Sequence, residues 1–163
     1  MDREARNRLL ELPDPELRSL CRIECFRGTG RGGQKRNTTD SAVRVTHLET
    51  SVSVVCDETR SQTRNRALAL RRLRHSLALA HRAPPELPPT FRGKPGPKSP
   101  AYPIWMAEVL DVLEHHGLRI SDAAAYLGTT TGKLVRDLAK DNALWQHVNA
   151  SRQRNQLSPL RQR

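Results

Sequence analysis

The segment Gly28-Thr29-Gly30-Arg31-Gly32-Gly33-Gln34 places four glycines in six positions and closes them with a glutamine. Glycine reaches positive φ and lets backbone come close to a ligand, so such a loop presents bare amide donors at its tip. Gln34 adds an uncharged donor and acceptor, and no acid-base triad stands near it. That combination suits holding a water and an oxyanion rather than transferring protons through a tuned pKa. Gly28, Gly30 and Gly33 also satisfy the Gly-x-Gly-x-x-Gly spacing of dinucleotide-binding folds. The residues that follow, Gln34-Lys35-Arg36-Asn37-Thr38-Thr39-Asp40, lack the apolar helical stripe such a fold needs, and the chain is too short for its parallel sheet.

The text around the loop is more specific than its glycines. It reads Gly32-Gly33-Gln34-Lys35-Arg36-Asn37-Thr38-Thr39-Asp40-Ser41-Ala42-Val43-Arg44-Val45-Thr46-His47 and, further on, Cys56-Asp57-Glu58-Thr59-Arg60-Ser61-Gln62-Thr63-Arg64-Asn65-Arg66. Over residues 19 to 82 this resembles the catalytic domain of class I peptide-chain release factors and of the small codon-independent hydrolases that rescue stalled ribosomes. The resemblance implies a ribosome-dependent peptidyl-tRNA hydrolase that needs no cofactor. Its loop would enter the peptidyl-transferase centre, where the backbone amide of Gln34 stabilises the reaction and its side chain lines the water's position. Gly32 and Gly33 would hold the backbone in a shape closed to residues with a Cβ. The implied partners are the ribosome, its RNA and peptidyl-tRNA, with the protein a monomer off the ribosome.

Four positions depart from the family pattern. Arg31 stands where a proline or small residue often precedes the glycine pair, and Lys35-Arg36 replaces a more neutral pair. The loop is thus unusually cationic, as phosphates at a tRNA acceptor end would favour. Ser51 occupies a turn position where glycine is common.

The formal charge of +11 and pI near 10.7 point to a polyanionic partner, and most of the excess lies in residues 1 to 82. Arg31, Lys35, Arg36, Arg44, Arg60, Arg64 and Arg66 are the candidate RNA contacts there, with Lys133 and Arg136 further along. No apolar run approaches the ~20 residues of a membrane span, and acids interrupt Met1-Asp2-Arg3-Glu4-Ala5-Arg6 where targeting peptides lack them, so a cytoplasmic location is expected. Cys21, Cys25 and Cys56 fit neither a disulfide framework nor a zinc site and read as reduced core residues. His115-His116 reads as a charged helix terminus, and no metal is expected.

These elements must position the loop. Asp14 before Pro15 reads as the N-cap of one short helix. Cys21 to Arg27 alternates like a strand that feeds the loop, and two more strands alternate through Val43 and Val45 and through Val52, Val54 and Cys56, with Thr50-Ser51 between them as a hairpin connection. From Ser61 the period becomes helical, with Leu70, Leu73, Leu77 and Ala80 on the face that lies across the sheet. The arginines around the rest of that helix are either a solvated face or a ribosomal RNA contact.

The expected fold is therefore α+β: a small sheet of three or four strands, a packed long helix and an exposed Gly-Gly-Gln loop in residues 1 to 82. A Pro-rich linker follows over 83 to 101, with seven prolines, and then a small all-α module over 102 to 163. Ser121 to Leu127 and Gly132 to Lys140, joined by Gly128 and a threonine cluster that caps the next helix, have helix-turn-helix spacing. They read equally as part of a helical bundle packing Trp105, Leu127, Leu134, Val135, Leu138, Leu144, Trp145 and Val148. The alternative to a hydrolase is a noncatalytic RNA- or DNA-binding regulator that uses this module. Nothing in 102 to 163 resembles a stop-codon-reading domain, so codon-independent rescue is the expected form of the activity.

Overall fold

The computed structural model describes residues 1–27, 40–86 and 93–161, which divide into two compact units. One comprises Arg8–Ala80; the other joins Met1–Asn7 to His81–Arg163. The architecture is α+β, as the sequence patterns require.

In the Arg8–Ala80 unit, strands β1 (Cys21–Phe26), β2 (Ala42–His47) and β3 (Ser53–Cys56) form an antiparallel sheet in the order β1-β2-β3. The register pairs Ile23 with Val45 and Val45 with Val54, so the apolar positions of all three strands share a face. A long helix, here α3 (Gln62–Ala80), packs across β2 and β3. Val43, Val45 and Cys56 from the sheet and Ala69, Leu70, Leu73 and Leu77 from α3 are buried in this core. The apolar stripe ends on Ala78 instead of Ala80, which is exposed at the helix end.

The turn between β2 and β3 has Ser51 at φ 57°, the left-handed conformation that makes glycine common at such a position. Its side-chain support comes from His47, whose Nδ1 lies 2.8 Å from the Thr50 hydroxyl and accepts from the Thr50 N–H at 3.3 Å.

Helix α2 (Asp14–Ser19) starts one residue earlier than expected, with Pro13 as its N-cap and no side-chain capping bond. Asp14 does not cap because its carboxylate is engaged elsewhere: it accepts from Arg74 Nη1 at 2.6 Å, while Arg74 Nη2 donates to Leu12 O at 2.6 Å. Of the cysteines, Cys56 is buried and Cys21 half-buried, but Cys25 is exposed on edge strand β1 and is no core residue.

The first helix, α1 (Arg3–Glu11), has no counterpart in the sequence reading. In the other unit, α4 (Tyr102–His115) is buried almost all round, carrying Trp105, Met106, Val109, Leu110 and Leu113. It also buries two acids, Glu108 and Asp111. Arg3 and Asn7 donate to Glu108 Oε1 at 2.6 and 3.0 Å, so the acid is compensated within the unit.

Helices α5 (Ile120–Tyr126), α6 (Thr131–Ala139) and α7 (Asn142–Arg154) complete the unit. Gly128, at φ 63°, turns the chain between α5 and α6. Thr130 caps α6 by accepting from Lys133 N, as the threonine cluster implied, and Asp141 caps α7 by accepting from Leu144 N. Leu134, Leu138, Leu144 and Val148 are buried, whereas Leu127, Val135 and Trp145 are half-buried. Within the Pro-rich segment, Lys94 Nζ donates to Asp137 O at 2.9 Å and sits over the rings of Tyr102 and Trp105. No described helix is long and apolar enough to cross a membrane.

Candidate active site

Gly32, Gly33 and Gln34, with Arg31, Lys35 and Arg36, lie outside the described residues. What the structure describes is the frame from which that segment leaves and to which it returns. Phe26, the last residue of β1, pairs with Ala42, the first of β2, so the chain departs and comes back at one end of two neighbouring antiparallel strands. Arg27 and Asp40 face each other across this neck, with Nε 3.4 Å from Oδ1; both are largely exposed, and the pair adds alignment more than stability.

The return stem is held from α3. Ser61 begins this helix as its N-cap, its Oγ accepting from Arg64 N at 3.3 Å. Gln62 and Asn65 follow at a spacing of three, which puts both on one face of the first turn. Gln62 Nε2 donates to Asp40 O at 3.0 Å, and Asn65 Nδ2 donates to Ser41 O at 2.7 Å. Asn65 is completely buried. Its Nδ2 also donates to Thr59 O at 2.8 Å, and its Oδ1 accepts from Thr59 N at 2.9 Å. The side-chain amide thereby ties three segments together: the helix, the stretch at Thr59, and Ser41 just before β2.

The described candidate RNA contacts fall into different settings. Arg60 and Arg64 are exposed beside the start of α3. Arg66 is half-buried and turns back to Gln62, donating to Oε1 at 3.3 Å. Arg44 projects from the sheet face opposite the buried valines, with its guanidinium 5.3 Å from the Phe26 ring and 3.7 Å from Glu24. Lys133 and Arg136 belong to the other unit, on α6, where both are exposed. Lys133 Nζ pairs with Asp137 at 2.8 Å, and Lys140 reaches the same carboxylate at 3.4 Å. Burial pushes the Asp137 carboxyl up, but the two ammonium groups more than cancel this and hold it below its ordinary range.

Asn65, Gln62, Thr59 and Asp40 were not singled out as site residues by the sequence reading. One signal for Asn65 is present: it stands four residues before Ala69 and eight before Leu73, on the apolar stripe of the helix, where a polar side chain must find buried partners.

The comparison with protein families returns one domain over this frame. Residues 15–88 match the RF-1 domain, the catalytic domain of class I release factors that carries the Gly-Gly-Gln triplet. This segment is an RF-1 domain. Members of that family hydrolyse peptidyl-tRNA on the ribosome, and the domain supports a release-factor-like role in translation termination or rescue. The match spans the sheet, α3 and the block from Thr59 to Asn65 that holds Asp40 and Ser41, and it extends eight residues past Ala80. It also implies an interaction with the ribosome in general terms.

Proposed function

We propose that the chain is a ribosome-dependent peptidyl-tRNA hydrolase that releases nascent peptides from stalled ribosomes without reading a stop codon. The observation that carries this reading is the Gly32-Gly33-Gln34 triplet within an RF-1 domain, on a connection whose two ends meet at paired strands. Peptidyl-tRNA is an ester. Its hydrolysis needs a water aimed at the carbonyl and a donor for the oxygen charge that develops in the tetrahedral transition state. Gln34 supplies the donor through its main-chain N–H and lines the water with its side chain; Gly32 and Gly33 act through backbone conformation. The cytoplasm, where translation takes place, is its proposed location.

Arg31, Lys35, Arg36, Arg44, Arg60 and Arg64 would meet RNA phosphates, which agrees with the exposure of Arg60 and Arg64 near the neck. Arg66 makes a weaker candidate because it faces Gln62. In residues 102 to 163, Arg136 is the stronger candidate of the α6 pair, since Lys133 is engaged by Asp137. The same engagement of Lys133 and Lys140 disfavours the alternative, a nucleic-acid regulator driven by the helical module alone.

The deciding experiment incubates purified protein with stalled ribosomes bearing labelled peptidyl-tRNA, with and without messenger RNA beyond the P site. Peptide release that needs no stop codon is expected. Release only on a stop codon would move the protein to termination, and no release at all would overturn the hydrolase reading.

A further inference from the structure

Two consecutive main-chain carbonyls, those of Asp40 and Ser41, are taken by two side chains one helical turn apart, Gln62 and Asn65. Neither carbonyl has a place in the strand pairing, which begins at Ala42. They belong to the stem by which the glycine-rich segment rejoins the sheet. We propose that Asn65, assisted by Gln62, is a positioning residue for the hydrolysis: it fixes the height and direction of this stem and so governs how the amide of Gln34 is delivered to the ester. This role rests on the hydrolase reading above.

The physical case begins with cost. An asparagine within a helix is less favourable than alanine, and a buried amide left unpaired is more costly still. At Asn65 both amide hydrogens and the oxygen are used, on Ser41 O, Thr59 O and Thr59 N. The surrounding groups also fix the amide's orientation, because a flip would set its oxygen against two carbonyls and its NH₂ against an N–H. One rigid side chain thus copies the position of the first helical turn onto the stem. Gln62 repeats the device one residue earlier in the stem, and Arg27 closes it from the outgoing side.

Catalysis by a presented donor depends on placement, and a misplacement of about 1 Å costs on the order of 100-fold in rate. Loosening the stem should therefore lower the chemical step while leaving ribosome binding, which other surfaces provide, unchanged. A purely structural asparagine would behave differently: its loss would reduce the amount of folded protein and nothing else.

The test uses the full chain and stalled ribosomes carrying labelled peptidyl-tRNA, with single-turnover release measured across protein concentration. Asn65→Ala and Gln62→Ala are compared with Leu73→Ala, a core change remote from the stem contacts, and each rate is divided by the folded fraction from circular dichroism at the assay temperature. Asn65→Ala should lower the saturating rate by about 10- to 100-fold with the half-saturating concentration unchanged. Gln62→Ala should move the same way by less, and Leu73→Ala should match wild type once corrected. Loss in Asn65→Ala that merely tracks its unfolded fraction overturns the role. Should Asn65→Ala not fold, Gln62→Ala decides, and its retention of the full saturating rate overturns the role equally. Wild-type protein that releases nothing sinks the hydrolase reading and this role together, a result distinct from either.

Discussion

Arg6 Nη1 donates to Asp111 Oδ2 at 2.6 Å, and each side chain is only 1% exposed. Arg82 reaches the other carboxylate oxygen at 3.1 Å, and Ala83 N–H donates to it at 3.0 Å. Burial draws the Arg82 guanidinium down to about 10, although Asp111 works in the opposite direction. The acid is the centre of this group, so removing it strands buried positive charge. Asp111→Ala should destabilise the helical unit by about 3–5 kcal/mol, measured by urea unfolding followed through helical circular dichroism. Arg6→Met should cost less, because Asp111 keeps Arg82 and Ala83. An Asp111→Ala loss no larger than that of Arg6→Met would show that the carboxylate is not the centre of the group.

His47 predicts a pH effect in the other unit. Its Nδ1 accepts the Thr50 N–H, which requires a lone pair there, and burial holds the imidazole below its ordinary pKa while Glu49 partly offsets the shift. The unfolded chain then binds a proton more readily than the folded one. Stability from this residue is complete above about pH 6.5, the unfolded value, and declines as pH falls from there toward the lower folded value. Thermal unfolding at pH 7.5 and pH 5.5 should show this decline for wild type, and His47→Asn, which keeps an acceptor but cannot titrate, should show less of it.

The contrast between Asp111 and His47 also shows what the sequence made legible. The strands and α3 could be read because alternation at Cys21–Phe26 and Ala42–His47 and the Leu70-Leu73-Leu77 stripe follow from local geometry. The Gly-Gly-Gln triplet and the Thr59–Asn65 block were legible as a resemblance, later met by the RF-1 match. Helix α1 was not, because Arg3 and Arg6 look like solvent-facing cations until Glu108 and Asp111, more than 100 residues away, are placed beside them. Asp14 misled for the same reason: its local capping signal lost to Arg74, 60 residues on. Local pattern cannot report a partner supplied by tertiary packing.

Ser51 offers a stabilising change. At φ 57° its Cβ is held in the left-handed region, which costs an L-residue roughly 1–2 kcal/mol. Glycine removes that strain but brings extra entropy to the unfolded chain, so the two terms partly cancel. Ser51→Gly should raise stability by about 0.5–1 kcal/mol, seen as a higher urea midpoint with an unchanged slope. A lower midpoint would mean that the turn depends on the serine for more than its backbone.

The proposed chemistry orders three variants of the glycine loop. Gln34→Ala removes a side chain that lines the water but retains the amide donor, and Gly33→Ala adds a Cβ where backbone freedom is needed. Gln34→Pro deletes the N–H itself. Peptide release on stalled ribosomes should therefore fall least for Gln34→Ala, more for Gly33→Ala and most for Gln34→Pro, whose missing donor costs roughly 100- to 1000-fold. Ribosome association, read by co-sedimentation, should be the same for all three, because none removes a cation. Equal losses for Gln34→Ala and Gln34→Pro would place the effect in the side chain and contradict a main-chain donor.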